Sequence, residues 1–517
     1  MAPRKRSPVL YPRHRTLYPS SKRAVDRRFL SIYMALVFFL LFGCLFLSQL
    51  VSDAPSTVLE PLEPGLLEEM FQPRSPSDEQ RPMGYPDSSE NDPPANVNMS
   101  MLFKMAETRP DHWQRVRRTN DRFYVFSAYL DTRRSRAVRI IAAARTRLTD
   151  RVVCRLFWKT TDGKEFQATT VLASNKLIRE NWNLRYSAFF LLCPLPPGMT
   201  GETPLWVSVQ RLNDRAVPRN VLLVHRKDEV LDRRPYEERE LAVCVKPIHY
   251  DYNKVLQFAE FMELNLALGV SHFVLYNHTV GPDVNCLLER YVSENLVTLL
   301  PWELPIVSQR EIRTEALFAA LNDCLYRTMY RFRWVAMIDL DEFIVPAGNV
   351  SLPVMLRRLQ ERNANGRAGA YSFRNAFFYL QWPDDPIAAQ DRLPLVTLRK
   401  TLRKAHLHAH RQRSKCILEP ESVVEVGNHF VWEFLAGKTT VNVASSVAFL
   451  HHYRVCEFGG NDCINTTSVR DTGVYFWKPR LLEAVTRRMR MLRRRDLACP
   501  GQGQGRVSRN RTVIHRS

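Results

Sequence analysis

No Gly-x-Gly-x-x-Gly follows any strand-like run in this chain, which removes the usual loop for cradling a dinucleotide pyrophosphate. The ten cysteines never form paired C-x-x-C units, so structural zinc is not expected. Only one stretch, residues 29–51, is long, apolar and free of charge, so a single membrane span is the most the sequence offers. Between about 120 and 235 no acid/histidine constellation occurs. Acidic residues are scarce at both ends. Residues 1–28 carry nine Lys/Arg against Asp26 alone, and residues 476–517 carry twelve against two acids. The net charge of +21 therefore belongs to the termini, and nucleic acid is not an expected partner.

The stretch 29–51 is roughly 34 Å long as a helix, enough for a bilayer core of ~30 Å. It is longer than a signal-peptide core, and the Leu-Ser-Gln-Leu-Val that ends it is a poor cleavage site. Basic residues 1–28 precede it, and Asp53, Glu60 and Glu63 follow. The expectation is a cytosolic tail (1–28), a transmembrane signal anchor (29–51) and a type II chain whose bulk is lumenal. Residues 52–105 are crowded with proline and read as a disordered stem. Nine cysteines after the span fit an oxidising compartment. Cys456 and Cys463 are near enough to clip a loop, Cys154 and Cys193 share one β-rich region, and an odd count leaves one thiol over. Sequons at Asn98, Asn349, Asn465 and Asn510 are expected to carry glycans. A fifth, Asn277, falls in the site argued below.

The remaining chain is too long for one usual core. Residues 106–238 hold short β runs, such as 123–130, 152–158 and 205–209, separated by turn residues. They predict an antiparallel β-sandwich domain. At 239–475 the rhythm becomes β-α-β-α-β-α-β: strands at 241–248, 271–277 and 296–300, helices at 252–268, 284–293 and 312–332. This predicts an α/β fold with a mostly parallel, Rossmann-type sheet. Residues 476–517 read as a basic, solvated C-terminal helix and tail.

The fourth strand of that series is the most informative. The apolar run Trp334 to Ile338 ends in Asp339, Asp341 and Glu342. Carboxylates have no place inside a strand buried on both faces, so they should emerge at its carboxyl end, where open α/β sheets bind ligands. On an extended backbone Asp339 and Asp341 leave the same face. Two hard oxygen donors suit Mn²⁺ or Mg²⁺ bridging to a diphosphate.

Cys-Val-Lys-Pro (244–247), Glu263, Leu-Gly-Val-Ser-His-Phe (268–273), Leu-Tyr-Asn (275–277), Asn-Asp-Cys-Leu (322–325) and Trp334 to Phe343 together resemble glycosyltransferase family 92. Lys415, Pro420, Val-Gly-Asn-His (426–429) and His-His-Tyr-Arg (451–454) extend the resemblance over about 240–460. It implies a GT-A-type fold, a nucleotide-sugar donor such as UDP-galactose, inverting transfer and residence in the Golgi membrane. It further implies β-1,4-galactosyl transfer to an N-glycan acceptor, either onto terminal galactose, as in bird-type members, or onto core fucose.

The chemistry sets the remaining expectations. A departing diphosphate gains charge, which a divalent cation neutralises. His429 is the candidate third ligand beside Asp339 and Asp341; His451 and His452 are the alternatives, one of them facing the core. Lys246, Tyr276 and Asn277, at strand ends, should surround the nucleoside. Asn322 and Asp323 should reach the sugar, and Lys415 and Arg454 the phosphates. An inverting transferase also needs a carboxylate base at the acceptor hydroxyl; Asp384 or Asp385, and Glu421 or Glu425, are the candidates. Two other classes share parts of this pattern. A lectin-like ectodomain has the anchor and stem without needing the acids. A metal-dependent hydrolase needs no acceptor.

Overall fold

The computed structural model describes residues 98–493 apart from 110, 120–121, 161–165, 198–202, 228–239, 307, 364 and 458–462. The expected tail, membrane anchor and most of the stem lie outside these residues, as do Asn510 and the end of the basic C-terminus. Among the described residues no helix is long and apolar enough to cross a membrane.

Helix α1 (Met99–Thr108) starts inside the stretch expected to be stem. Asn98 Oδ1 caps it by accepting from the Met101 amide at 2.9 Å, satisfying an amide the first turn leaves open. Its buried Leu102 and Phe103 pack on Phe157 and Trp206. Nine strands follow: β1 (Gln114–Arg115), β2 (Tyr124–Asp131), β3 (Ala137–Arg145), β4 (Val152–Lys159), β5 (Phe166–Leu172), β6 (Ser174–Leu177), β7 (Tyr186–Pro194), β8 (Trp206–Arg211) and β9 (Leu222–His225). They make one continuous sheet, in the order β5-β4-β8-β9-β2-β3-β7-β6, with β1 beside β2. The pairs are antiparallel except β2 with β9. The expected sandwich is thus a single sheet that curls until β4 and β8 cover β3 and β7, enclosing a core of Val138, Ile140, Leu156, Leu191 and Val209. The Cys154–Cys193 disulfide joins β4 to β7 across it.

The second sheet begins with β10 (Leu241–Cys244), β11 (His272–Asn277), β12 (Val297–Pro301) and β13 (Trp334–Met337). Helices α2 (Val255–Ala267), α3 (Pro282–Ser293) and α4 (Leu317–Thr328) alternate with them. These four strands are parallel and lie in the order β12-β11-β10-β13. After β12 the chain returns past β10, so the order reverses between β10 and β13. That reversal is a topological switch point, where open α/β sheets leave a crevice at the strand ends. The rest of the domain adds β14 (Glu342–Pro346), helix α5 (Leu352–Arg362), β15 (Ala368–Phe373), β16 (Asn375–Tyr379), β17 (Leu402–Lys404), β18 (Lys415–Leu418), β19 (Val423–Val426), β20 (Val431–Phe434), β21 (Thr439–Asn442) and β22 (Ala448–Arg454). β18, β15 and β21 extend the large sheet beyond β13, and β14, β22 and β16 form a small sheet of their own.

The inner strands β10 and β13 are buried on both faces, which explains their unbroken apolar runs. Leu241 and Val243 face one core, with Phe258, Phe261 and Leu288. Ala242 and Cys244 face another, shared with Phe126, Ile141 and Phe190 of the first sheet. Helix α4 sits in this shared layer. Cys324 on it is disulfide-bonded to Cys244, and the Cys456–Cys463 loop clip is also present. Cys416 is a buried free thiol.

The basic C-terminal stretch is less solvated than its composition suggests. Helix α6 (Lys478–Arg493) buries Leu481 and Val485. Arg488 enters the interior: its Nε donates to Glu263 Oε1 at 2.7 Å and its two Nη atoms to the Glu294 carboxylate at 2.7 Å each. Arg488→Ala strands the buried Glu263 carboxylate and is expected to cost about 3–5 kcal/mol in chemical denaturation.

His451 of β22 is 1 % exposed and stacks between Phe378 and Phe449. Burial pushes its imidazole down from 6.5 to about 4. Between those values the unfolded chain binds the proton and the folded chain does not. Stability therefore rises with pH across this window, is complete above 6.5, and is lost as pH falls towards 4. His451→Phe is expected to remove up to ~3 kcal/mol of that pH dependence, read as a flatter plot of melting temperature against pH.

Candidate active site

The site forms where β10 and β13 end side by side. Strand β13 stops at Met337, and the chain turns at Leu340–Asp341 into β14. The backbone through the acids is thus a turn from the large sheet to the small one, not the extended run expected. Asp339 and Asp341 still face one cluster, because the turn is pinned from within: the Asp339 amide donates to Glu342 Oε2 at 3.0 Å and the Glu342 amide to the Asp339 carbonyl at 3.1 Å.

Two lysines answer the acids. Lys246, just beyond β10, and Lys415, opening β18, both place Nζ 3.2 Å from Asp339 Oδ2. Lys415 also lies 3.3 Å from Glu342 Oε2 and donates to Asn428 Oδ1 at 2.9 Å. Its side chain is 2 % exposed, that of Lys246 39 %. Three partners occupy the three protons of the Lys415 ammonium, so it is a clamp. Lys246 is open to a ligand. Burial raises the Asp339 carboxyl, but Lys246 and Lys415 outweigh it and hold the group well below the usual range. Burial likewise raises Asp341, and His452 and Lys246 bring it down. For Glu342 burial wins over Lys415, and its carboxyl is raised.

Of the three candidate histidines, His452 touches the acids. Glu342 and His452 are cross-strand partners in β14 and β22. His452 Nε2 is 3.2 Å from Asp341 Oδ2 and Nδ1 is 3.3 Å from Glu342 Oε1. His451, the next residue on the strand, points into the core. His429 approaches from the other side, with Nδ1 3.3 Å from the Ser414 carbonyl and Nε2 3.3 Å from Asn428. Burial and Lys415 hold its imidazole at about 4.

The neighbouring strand end adds groups the sequence did not single out. Thr314, Glu315 and Ala316 all have positive φ (42°, 49° and 59°), a left-handed turn that non-glycine residues rarely make. The helix expected from Ile312 therefore starts only at Leu317. The turn sets buried Glu315 with Oε2 3.5 Å from His278 Nε2, just past β11. Buried polar atoms here, His249 Nδ1, Asn277 Oδ1 and His278 Nδ1, have no hydrogen-bond partner within the protein. Such orphans call for an explanation, and a bound ligand is one.

Other expected site residues lie elsewhere. Tyr276 is fully buried, and its hydroxyl donates to Asp323 Oδ2 at 2.6 Å. Asp323 also accepts from Ser127 and from Tyr129 at 2.7 Å, and pairs with Arg327 at 2.9 Å. Asn322 is clamped to both backbone groups of Val426. These three bolt α4 into the shared layer and do not face the strand-end crevice, because the helix is buried on both sides. Arg454 pairs with Glu457 at 2.5 Å. Asp385 is held by the Ile387 amide, Thr401 and Arg470, and despite burial these hold its carboxyl at about 2. Asp384 lies 2.7 Å from Lys400. Glu425 is fully buried and accepts from the Arg179 amide at 2.8 Å. Glu421 is 45 % exposed, 3.9 Å from Lys227. Asn349 and Asn465 are exposed, as glycan attachment requires.

Among the described residues no three or more His, Cys, Asp and Glu side chains form a ready-made metal cage. Two anionic carboxylates at a strand end do fit a cation that arrives with a diphosphate, since Mg²⁺-type ions use one or two carboxylates and complete their shell with phosphate and water.

No curated protein matches this chain. Among solved structures, glucosyl-3-phosphoglycerate synthase from Mycobacterium tuberculosis is similar at 15% identity and a TM-score of 0.19; the match covers 37% of this chain and 65%, just under two thirds, of that one. A UDP-glucose pyrophosphorylase from Acinetobacter baumanii is similar at 10% identity and a TM-score of 0.21, over 48% of this chain and 93% of that one. TM-scores this low carry no argument about fold or chemistry. The family comparison does bear on the site: residues 239–491, which include both strand ends, the acids, the two lysines and His452, match the model of glycosyltransferase family 92.

Proposed function

We propose that the chain is an inverting, metal-dependent galactosyltransferase that moves galactose from UDP-galactose to a glycoprotein N-glycan, forming a β-1,4 linkage to terminal galactose. The observation that carries glycosyl transfer is the meeting of Asp339, Asp341 and Lys246 at the switch point of a parallel sheet. The donor, acceptor and linkage rest on the resemblance to bird-type members of the family. The placement in the Golgi membrane as a type II protein rests on the apolar run 29–51 and on the disulfides.

In this reading Asp339 and Asp341 would hold Mn²⁺ or Mg²⁺. We assign His452 as the third ligand in preference to His429. It already reaches Asp341, and Glu342 fixes its other ring nitrogen, the usual arrangement behind a metal-binding histidine. When bound there, the cation would supply Lewis-acid stabilisation of the leaving diphosphate. Lys246 meets a phosphate oxygen, and Lys415 keeps Asp339, Glu342 and Asn428 in register. His249, Asn277 and His278 offer their orphaned atoms to the nucleoside. The base at the acceptor hydroxyl is sought at Asp384 or Glu421. Their side chains are partly exposed, whereas those of Asp385 and Glu425 are 1 % and 0 % exposed and cannot reach an acceptor.

The test is transfer from a panel of UDP-sugars to galactose- and fucose-terminated N-glycans, with and without Mn²⁺. UDP-galactose with a galactose-terminated acceptor is expected to react, and chelation to abolish the reaction. If no UDP-sugar supports transfer to any acceptor, the reading is wrong. Release of free sugar without acceptor points to a hydrolase.

Asp339→Ala and Asp341→Ala are each expected to lower transfer by at least about 10³-fold; glycan binding that persists while wild-type transfer is undetectable points to a lectin. Lys246→Ala is expected to raise the donor KM about tenfold and, because Lys415 still pairs with Asp339, to lower the melting temperature less than Lys415→Ala does. Lys415→Ala removes the buried cation shared by Asp339 and Glu342 and is expected to cost about 3 kcal/mol of stability as well as activity.

A further inference from the structure

A large aromatic side chain stands out on the rim of this site, and it comes from the first sheet. Trp182 lies in the loop between β6 and β7 and is 61 % exposed. An indole is ordinarily buried for its apolar area. Here it is held outward. Trp182 and Asn183 both have positive φ, 58° and 53°, and the Asn183 amide donates to Asn181 Oδ1 at 2.9 Å. The Arg313 guanidinium lies 4.3 Å from the centre of the indole, covering one side and leaving the rest to solvent.

The loop is tied to the site on two sides. On one, Glu180 Oε2 accepts from the Asn428 amide at 3.0 Å and from Trp432 Nε1 at 3.2 Å. Asn428 is the residue that Lys415 grips while holding Asp339. Gly427 permits this approach, because a Cβ there would lie 2.3 Å from Glu180 Oε2. On the other side, the Tyr186 amide donates to the Glu311 carbonyl at 2.8 Å, and Arg313 leads directly into the left-handed turn that carries Glu315 towards His278. The tip is therefore fixed between the acid-bearing edge and the edge at the end of β11.

We propose that Trp182 is an acceptor-side sugar platform: its indole stacks against the C–H face of a pyranose in the glycan acceptor, so that the first sheet supplies part of the acceptor subsite of the transferase domain. A pyranose presents a flat patch of C–H groups on one side and hydroxyls around the rim. The indole face opposite Arg313 is a rigid apolar surface that matches the first, and the guanidinium stacked behind it holds the ring in place. The inference rests on the reading that the acceptor is a glycan.

The experiment compares the full-length chain with Trp182→Ala and Trp182→Phe. The acceptor KM and donor KM are measured in transfer. Binding of an N-glycan ending in β-galactose is measured without donor by calorimetry. Trp182→Ala is expected to raise the acceptor KM and the glycan Kd about three- to tenfold, to leave the donor KM within about twofold, and to keep the melting temperature. Trp182→Phe is expected to recover most of the loss. Unchanged acceptor KM and Kd in Trp182→Ala, with wild-type transfer intact, overturn the platform and leave the transferase reading standing. Wild type that binds the glycan through Trp182 but transfers nothing overturns the transferase reading and leaves the platform standing. Wild type that does neither overturns both.

Discussion

The geometry of the site depends on a single buried ammonium group. Lys415 lies almost entirely out of water and spends its protons on Asp339, Glu342 and Asn428. Each partner belongs to a different part of the fold: the end of β13, the start of β14 and the loop between β19 and β20. Three acids crowded into four residues repel one another, and burial favours their protonation. Lys415 and Lys246 reverse that balance for Asp339, and His452 helps to do so for Asp341. Asp339 and Asp341 thus stay anionic, while Glu342 behind them works as a brace.

The division of labour between the lysines follows from exposure. Both lie at the same distance from the same carboxylate oxygen. Lys415 has no surface from which to meet a substrate, and Lys246 has. The histidines divide in a similar way. Adjacent residues on β22 point to opposite faces, so His451 fills the core between two phenylalanines and His452 meets the acids.

The first sheet is more than a spacer. Its residues share a core with the parallel sheet, and α4 is bolted between the two by Asp323, Arg327 and Asn322. The same packing carries the loop after β6 to the rim of the site, where Glu180 and Arg179 hold the 425–433 segment. The shape of the crevice therefore depends on both sheets, although the acids and lysines at its centre all come from the second.

Much of the second sheet could be read directly from the chain. The alternation of apolar runs with helical spacing gave the succession of β10 to β13 along the chain and their parallel sense, whereas their order across the sheet came only from the structure. The acids at the end of Trp334 to Ile338 stood out because charge cannot remain inside such a strand. The cysteine pairs 154–193 and 456–463 were likewise suggested by their proximity within one β-rich region or one loop. Contacts between distant segments were a different matter. Tyr276 and Asp323 look like site residues in one dimension and are a buried hydrogen-bonded pair in three. Lys415, expected to reach the phosphates, is an interior clamp. Arg488 sits in a basic run yet is drawn inside by two carboxylates about two hundred residues away. Local pattern reports how a segment is buried; only the assembled fold decides which charged groups share a dielectric cavity, and it is that sharing which leaves a carboxylate open at a strand end or turns it into a brace or a bolt.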